Sequence, residues 1–280
     1  MIVIESAGRF GNQIFQYAAA IASSRRKEKI FLVGFHQFSN YFGHSVVSKI
    51  RHLSYRKFGL LLRLPRTLWG LPVMGEILLD SERRSFVRKR GILPVFIFRA
   101  GYCQDERLVF GEAIRDMFQS RTTLNTALND YLTHNGAKPR CFVHIRRGDY
   151  LSYPAESPAA IPLSWFLDQV VRIRQTLTSV EFLFFSDDPD WVEEKLPNDR
   201  DFQFFHGSAE ESFTAMAQCQ AGILSASSFS WWAAYLAVST GAPGPFLAPR
   251  HWLGWRGGSW YPRNVESQFL SYVRVVDLEP

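Results

Sequence analysis

Cysteine is scarce, with only Cys103, Cys141 and Cys219 among 280 residues. They form no C-x-x-C pair and no Cys/His cluster, which excludes a disulfide framework and a structural zinc site as organising elements. A reducing, cytoplasmic compartment is expected. Residues 1–5 (MIVIE) lack a basic start and a long apolar run, so no secretory signal is expected. Charge is missing altogether from Ser212 to Pro249, a stretch of 38 residues. Its glutamines, serines and prolines break the apolar run, and Phe229 to Val238 is too short to span a bilayer. Neither G-x-G-x-x-G nor a GK[ST] ending is present, which removes the dinucleotide fingerprint and the Walker motif. No repeat or low-complexity tract occurs.

What is present suits a folded chain. Hydrophobic residues at 46 % against 21 % charged supply a core and exclude disorder. The net charge of +6 suggests an anionic partner, and its location narrows the choice. Arg25 to Arg90 holds 15 basic and 4 acidic residues, a local +11, so the remainder sums to −5. A diffuse basic character suited to nucleic acid is absent, and no RNA-binding fingerprint is found. Within the basic stretch, residues 51–79 mix leucines and Trp69 with arginines and lysines. A peripheral membrane contact with anionic lipid, a solvated face and an acceptor-binding lobe are all readings of it.

The chain opens as a βα unit: strand Ile2–Ile4, a glycine-bearing loop through Gln13, and a helix from Ile14 to Ser24. Residues 25–100 give no clean period. From Arg140 the pattern is regular, with strands at Cys141–Ile145, Val180–Phe185, Phe202–His206, Ile223–Ser225 and Pro245–Ala248. Helices at Leu163–Leu177, Pro189–Leu196, Ser208–Gln220 and Phe229–Ser239 alternate with them. Such alternation predicts a parallel, doubly wound α/β sheet, with ligands outside the carboxyl ends of its strands. A boundary between two halves is expected near residues 134–140.

Four polar clusters fall where strands hand over to helices. In His144-Ile145-Arg146-Arg147-Gly148-Asp149-Tyr150, two guanidinium groups and an imidazole would form a cationic fork suited to phosphate oxygens. Asp149 could orient an arginine or act as a base; the structural alternative is a surface ion-pair cluster around a core histidine. The loop holding Gly8, Gly11, Asn12 and Gln13 leads into a helix N-terminus, either as an ordinary turn or as a phosphate cradle. Ser186-Asp187-Asp188-Pro189 reads as a helix cap with Pro189 first in the helix. Without a third ligand, the two carboxylates do not indicate a metal. Ser227 and Ser228 open a helix ahead of Trp231 and Trp232, as caps on a core helix or as a phosphate site.

Taken together, GRFGNQIFQYA at 8–18, HIRRGDY at 144–150, FSDDPDWV at 185–192 and SSFSWWAAYL at 227–236 resemble the α-1,2-fucosyltransferase family, of the glycosyltransferase family 11 type. Related arginine and GNQ motifs occur in α-1,6- and protein O-fucosyltransferases. The resemblance implies an α/β, GT-B-like fold of two Rossmann-like lobes with a donor cleft between them. Residues 1–137 would form the acceptor-side lobe and 138–280 the lobe that binds the GDP-sugar. GDP-fucose is implied as donor, with inversion at the anomeric carbon, no metal and no cofactor. Arg146 is implied at the diphosphate with His144 and Arg147 in support. Ser227 and Ser228 would approach the phosphates, and Gly11, Asn12 and Gln13 would serve donor binding from the other lobe.

Two positions depart from the family pattern. An aspartate often stands near the guanine where this chain has Ser212, and neighbouring Glu211 is the substitute on offer. Ala226 replaces a frequent asparagine before the serine pair. The implied reaction is transfer of fucose to a glycan hydroxyl, foremost O2 of a terminal galactose, with Asp149 as the candidate base. Another linkage, or a nucleotide- or glycan-binding homologue without turnover, is the alternative.

Overall fold

The first helix begins four residues earlier than the sequence predicts. In the computed structural model, which describes residues 1–25, 27–42, 50–52, 54–62, 66–68, 71–109, 111–122 and 138–276, β1 (Ile2–Glu5) is followed by α1 (Phe10–Ser23). Gly11, Asn12 and Gln13 therefore lie in the first turn of α1, not in a loop. The turn before it is tight at Gly8, whose φ is +73° and whose added Cβ would sit 2.4 Å from Asn12 Nδ2. Only glycine meets both conditions.

Two units make up the chain, Met1–Arg121 and Thr122–Pro280. Of the expected boundary at 134–140, residues 134–137 lie outside the described residues. In the first unit follow β2 (Ile30–Val33), α2 (His36–Phe42), β3 (Ile50–His52), α3 (Tyr55–Leu62) and a two-stranded hairpin, β4 (Thr67–Leu68) with β5 (Leu71–Pro72). Next come β6 (Gly75–Asp80), β7 (Ser85–Lys89), β8 (Phe96–Phe98) and α4 (Gly111–Thr122). The sheet order is β3-β2-β1-β8-β6-β7, parallel except for the β6–β7 hairpin at its edge. Half-buried, alternating β7 explains why residues 25–100 read poorly: an edge strand carries little apolar signal.

The second unit runs β9 (Arg140–Ile145), α5 (Leu163–Thr176), β10 (Glu181–Ser186), α6 (Pro189–Lys195), β11 (Phe202–Phe204), α7 (Ala209–Met216), β12 (Ala221–Ile223), α8 (Ser228–Ser239), β13 (Phe246–Pro249) and β14 (Ser271–Val273). Its sheet, β11-β10-β9-β12-β13-β14, is parallel throughout. Every residue of β9 is buried, as expected of a central strand covered on both faces. Its core joins Val143, Phe182, Phe184 and Ile223 to Trp165, Phe166 and Ile173 of α5. Helix α7 stops four residues short of the predicted end, because Gln218 to Gln220 lead directly into β12. Pro162 is the cap of α5, immediately before its first helical residue. The three cysteines are free and buried. No described helix is long and apolar enough to cross a membrane.

Candidate functional site

Strand order brings the exits of β10, β9 and β12 side by side, and three of the four clusters lie on those exits. Ser225 ties two of them together. Its hydroxyl donates to the His144 carbonyl (2.7 Å) and accepts the Arg146 backbone N–H (2.8 Å). Ser186 does the same on the other flank, donating to the Ile145 carbonyl at 2.8 Å and accepting the Asp188 N–H at 3.0 Å. The chain leaving β9 is thus held on both sides.

Arg146 lies between two carboxylates. Asp149 Oδ1 accepts from its Nε (3.1 Å) and its Nη2, while Asp187 Oδ2 lies 2.9 Å from Nη1. Two of an arginine's five N–H donors are spent on Asp149, which leaves donors on the Nη1 side beside Asp187. Asp149 therefore orients the arginine, the first of the two roles its sequence position allowed. Arg147 diverges where the chain leaves the extended path of β9 and turns, with φ −118° and ψ −81°. Its guanidinium stacks 3.3 Å over the Trp191 ring and pairs with Asp188 Oδ2 at 3.1 Å. Its backbone N–H goes to Asp187 Oδ1 at 2.8 Å.

The cationic fork expected of this segment is accordingly corrected on two counts. Arg146 and Arg147 share three carboxylates, so the cluster carries a formal −1 before any ligand arrives. His144 is buried against Phe229, and burial lowers its pKa to about 4, with Asp187 opposing the shift. It is a neutral imidazole whose Nδ1 finds no hydrogen-bond partner among the described residues. The Asp187-Asp188 pair is also more than a cap. Asp188 occupies the N-cap position of α6 without capping through its side chain, and both carboxylates serve the arginines. Asp187 was read from the sequence as part of a helix cap, not as a counter-ion to Arg146, and Ser225 was read only as a strand end.

Gly148 is required by proximity. A Cβ there would lie 2.2 Å from Asp187 Oδ2, so any side chain would push that carboxylate off Arg146. Tyr150 closes the far side: its hydroxyl donates to the Ala226 carbonyl at 2.8 Å, and the Arg146 guanidinium lies 5.6 Å from its ring centre. Burial pushes the Tyr150 hydroxyl well above its ordinary pKa, so it remains a donor. Ala226 is fully enclosed.

Ser227 caps α8, its hydroxyl accepting the Phe229 N–H at 3.3 Å, and Ser228 is the first helical residue. The tryptophans behind them are core: Trp231 donates to Ser267 Oγ at 2.8 Å, and both rings are buried. Glu211 is engaged locally. With Ser208 it forms a capping box on α7, and the Ser208 N–H and hydroxyl hold its carboxyl below the usual range. In the other unit, Gln13 is buried with its Oε1 accepting the Phe38 N–H at 3.0 Å, and Gly11 is buried beside it. Gln13 is thus a brace between α1 and α2. Asn12 Oδ1 accepts from Gln104 Nε2 at 2.6 Å. Among the described residues no group of three His, Cys, Asp or Glu side chains is arranged to hold a metal ion.

Solved structures share this architecture. POFUT1 in complex with GDP-fucose superposes with a TM-score of 0.54 at 15 % identity, over 88 % of this chain and 96 % of that one. The fucosyltransferase NodZ from Bradyrhizobium gives 0.52 at 14 %, over 84 % and 92 %. The fold is α/β and GT-B-like. In sequence, the chain is 26 % identical to the O-antigen biosynthesis glycosyltransferase WbnK of Escherichia coli, over 88 % of this chain and 93 % of that protein. It is 25 % identical to an alpha-1,2-colitosyltransferase of Escherichia coli, over 84 % and 87 %. It is 26 % identical to galactoside alpha-(1,2)-fucosyltransferase 1 of Bos taurus, over 84 % and 66 %. The family model described as Glycosyl transferase family 11 matches residues 1–243. Since that match takes in all four clusters, the chain belongs to glycosyl transferase family 11.

Proposed function

We propose that the protein is an inverting fucosyltransferase that moves L-fucose from GDP-fucose to O2 of a terminal galactose in a glycan. The observation that carries this reading is Arg146, held by Asp149 and Asp187 at the carboxyl end of β9. The N-terminus of α8, capped by Ser227, lies on the exit of the neighbouring strand. Both are anion-binding features on the edge where parallel α/β sheets take their ligands.

In this mechanism the sugar–phosphate bond breaks as the acceptor hydroxyl attacks C1 from the opposite face. Negative charge grows on the departing diphosphate, and the Arg146 guanidinium stabilises it without need of a divalent ion. The two carboxylates fix the arginine before the donor arrives, so its ordering entropy is not lost in the reaction. Asp149 orients Arg146 and is the candidate base that receives the acceptor hydroxyl's proton as the new glycosidic bond forms. Ser227 and Ser228 offer hydroxyls to the phosphates, His144 supports the strand end as a neutral group, and Arg147 braces Asp187.

The galactose acceptor and the alpha-1,2 linkage rest on the fucosyltransferase relative. The colitosyltransferase relative supports a second reading, in which colitose replaces fucose as the transferred sugar. Purified protein incubated with GDP-fucose or GDP-colitose and a β-galactoside, in EDTA, tests both. Transfer from GDP-fucose with a 2-linked product is expected. Loss of transfer on chelation would refute the metal-free route, and GDP binding without transfer to any acceptor would refute the enzyme reading.

A further inference from the structure

The basic stretch of the first unit gathers an apolar face that its core leaves uncovered. Leu68 and Leu71 face each other across the β4–β5 hairpin. Ile92 and Leu93 lie beside it, because their backbone N–H groups donate to the Pro72 and Val73 carbonyls at 2.9 and 2.8 Å. All four, with Leu60 of α3, are 37–60 % exposed. Helix α3 belongs to the same neighbourhood, since Phe58 shares a core cluster with Val95 and the partly buried Met74. Leu60 and Arg56, one turn apart, are both exposed.

Charge surrounds these side chains. Arg66, Lys89 and Arg90 flank the hairpin, and Arg56 and Lys57 lie on α3; all five are exposed, and none makes an ion pair among the described residues. The nearby carboxylate, Glu76, sits opposite Lys89 in register but is paired with Arg99 at 3.1 Å. An exposed apolar patch of this kind points to a partner, and cations with no ion pair among the described residues favour an anionic one.

We propose that this face docks on an anionic lipid surface, with Leu68, Leu71, Ile92 and Leu93 entering the headgroup boundary and Arg66 and Arg90 meeting lipid phosphates. This is independent of the donor and acceptor assigned above. The full chain should co-sediment with vesicles of phosphatidylcholine mixed with phosphatidylglycerol and remain in solution with phosphatidylcholine alone. Arg66→Gln with Arg90→Gln should weaken partition about 25-fold, at about fivefold per charge near such a surface. Leu68→Ser with Leu71→Ser should weaken it at least ~10-fold while leaving the melting temperature within about 2 °C, because both leucines are exposed. Equal binding to both vesicle types would overturn the proposal, as would parental binding by both variants. A dimer that the leucine variant converts to monomer would also overturn it, by assigning the face to a second copy.

Discussion

Asp187→Asn separates the role of the Asp187 charge from its shape. The asparagine oxygen can still accept the Arg147 N–H, but the ion pair with Arg146 is lost. At 2.9 Å and an effective dielectric of about 20, that pair is worth roughly 6 kcal/mol before desolvation. Arg146 and Asp187 side chains retain 14 % and 24 % exposure, so hydration of both partners returns most of it. About 1–2 kcal/mol of stability should be lost, which lowers Tm by about 3–6 °C in a unit of this size. The activity effect is larger than stability alone predicts, because Arg146 is then held by Asp149 only. kcat/KM for sugar transfer should fall about 10- to 100-fold, against about 100- to 1000-fold for Arg146→Ala. The decisive assay is the double variant. If Asp187 works through Arg146, then Arg146→Ala/Asp187→Asn is no slower than Arg146→Ala alone. Multiplicative losses would refute the reasoning, and so would a wild-type kcat/KM in Asp187→Asn.

Gly148→Ala should mimic Asp187→Asn by steric means, with a kcat/KM loss of about tenfold or more and little change in acceptor KM; normal turnover would show that Asp187 has room to move. His144 has a folded-state pKa of about 4 against an ordinary 6.5, so the unfolded chain binds the extra proton between those values. Stability should therefore fall by about 3 kcal/mol as pH drops from 6.5 to 4. Urea melts at pH 5 and 7 should show a slope that His144→Asn removes, and an unchanged slope would mean that His144 is not the titrating group. Trp191→Ala removes the platform under Arg147 and should cost about 1–2 kcal/mol by thermal melt. Its kcat should stay within about threefold of wild type, and a deeper loss would place Arg147 among the groups that touch the donor.

The regular half of the fold was legible because buried parallel strands declare themselves as apolar runs: Cys141 to Ile145 is buried throughout, and its exit is where a ligand loop was expected. Residues 25–100 were opaque for the opposite reason. The edge strand β7 is half-buried, and the β6–β7 and β4–β5 hairpins interrupt the strand–helix rhythm. Gly11 and Asn12 read as loop because glycine and asparagine are poor helix formers, yet packing of Phe10, Ile14 and Phe15 starts the helix there.

Periodicity and spacing belong to the chain itself, and they carried the α/β class, the strand exits and the four family segments. Which charge meets which is a property of space. Asp187 is 40 residues from Arg147, and Ser225 is 79 from Arg146, and they meet only because β10 and β12 flank β9. The same proximity turns a doublet that looks like a helix cap into the counter-ions of two arginines. It also makes His144 neutral where its neighbours in sequence suggest a cation. Coulomb attraction and desolvation depend on through-space surroundings, so the net charge of the site was settled by tertiary packing.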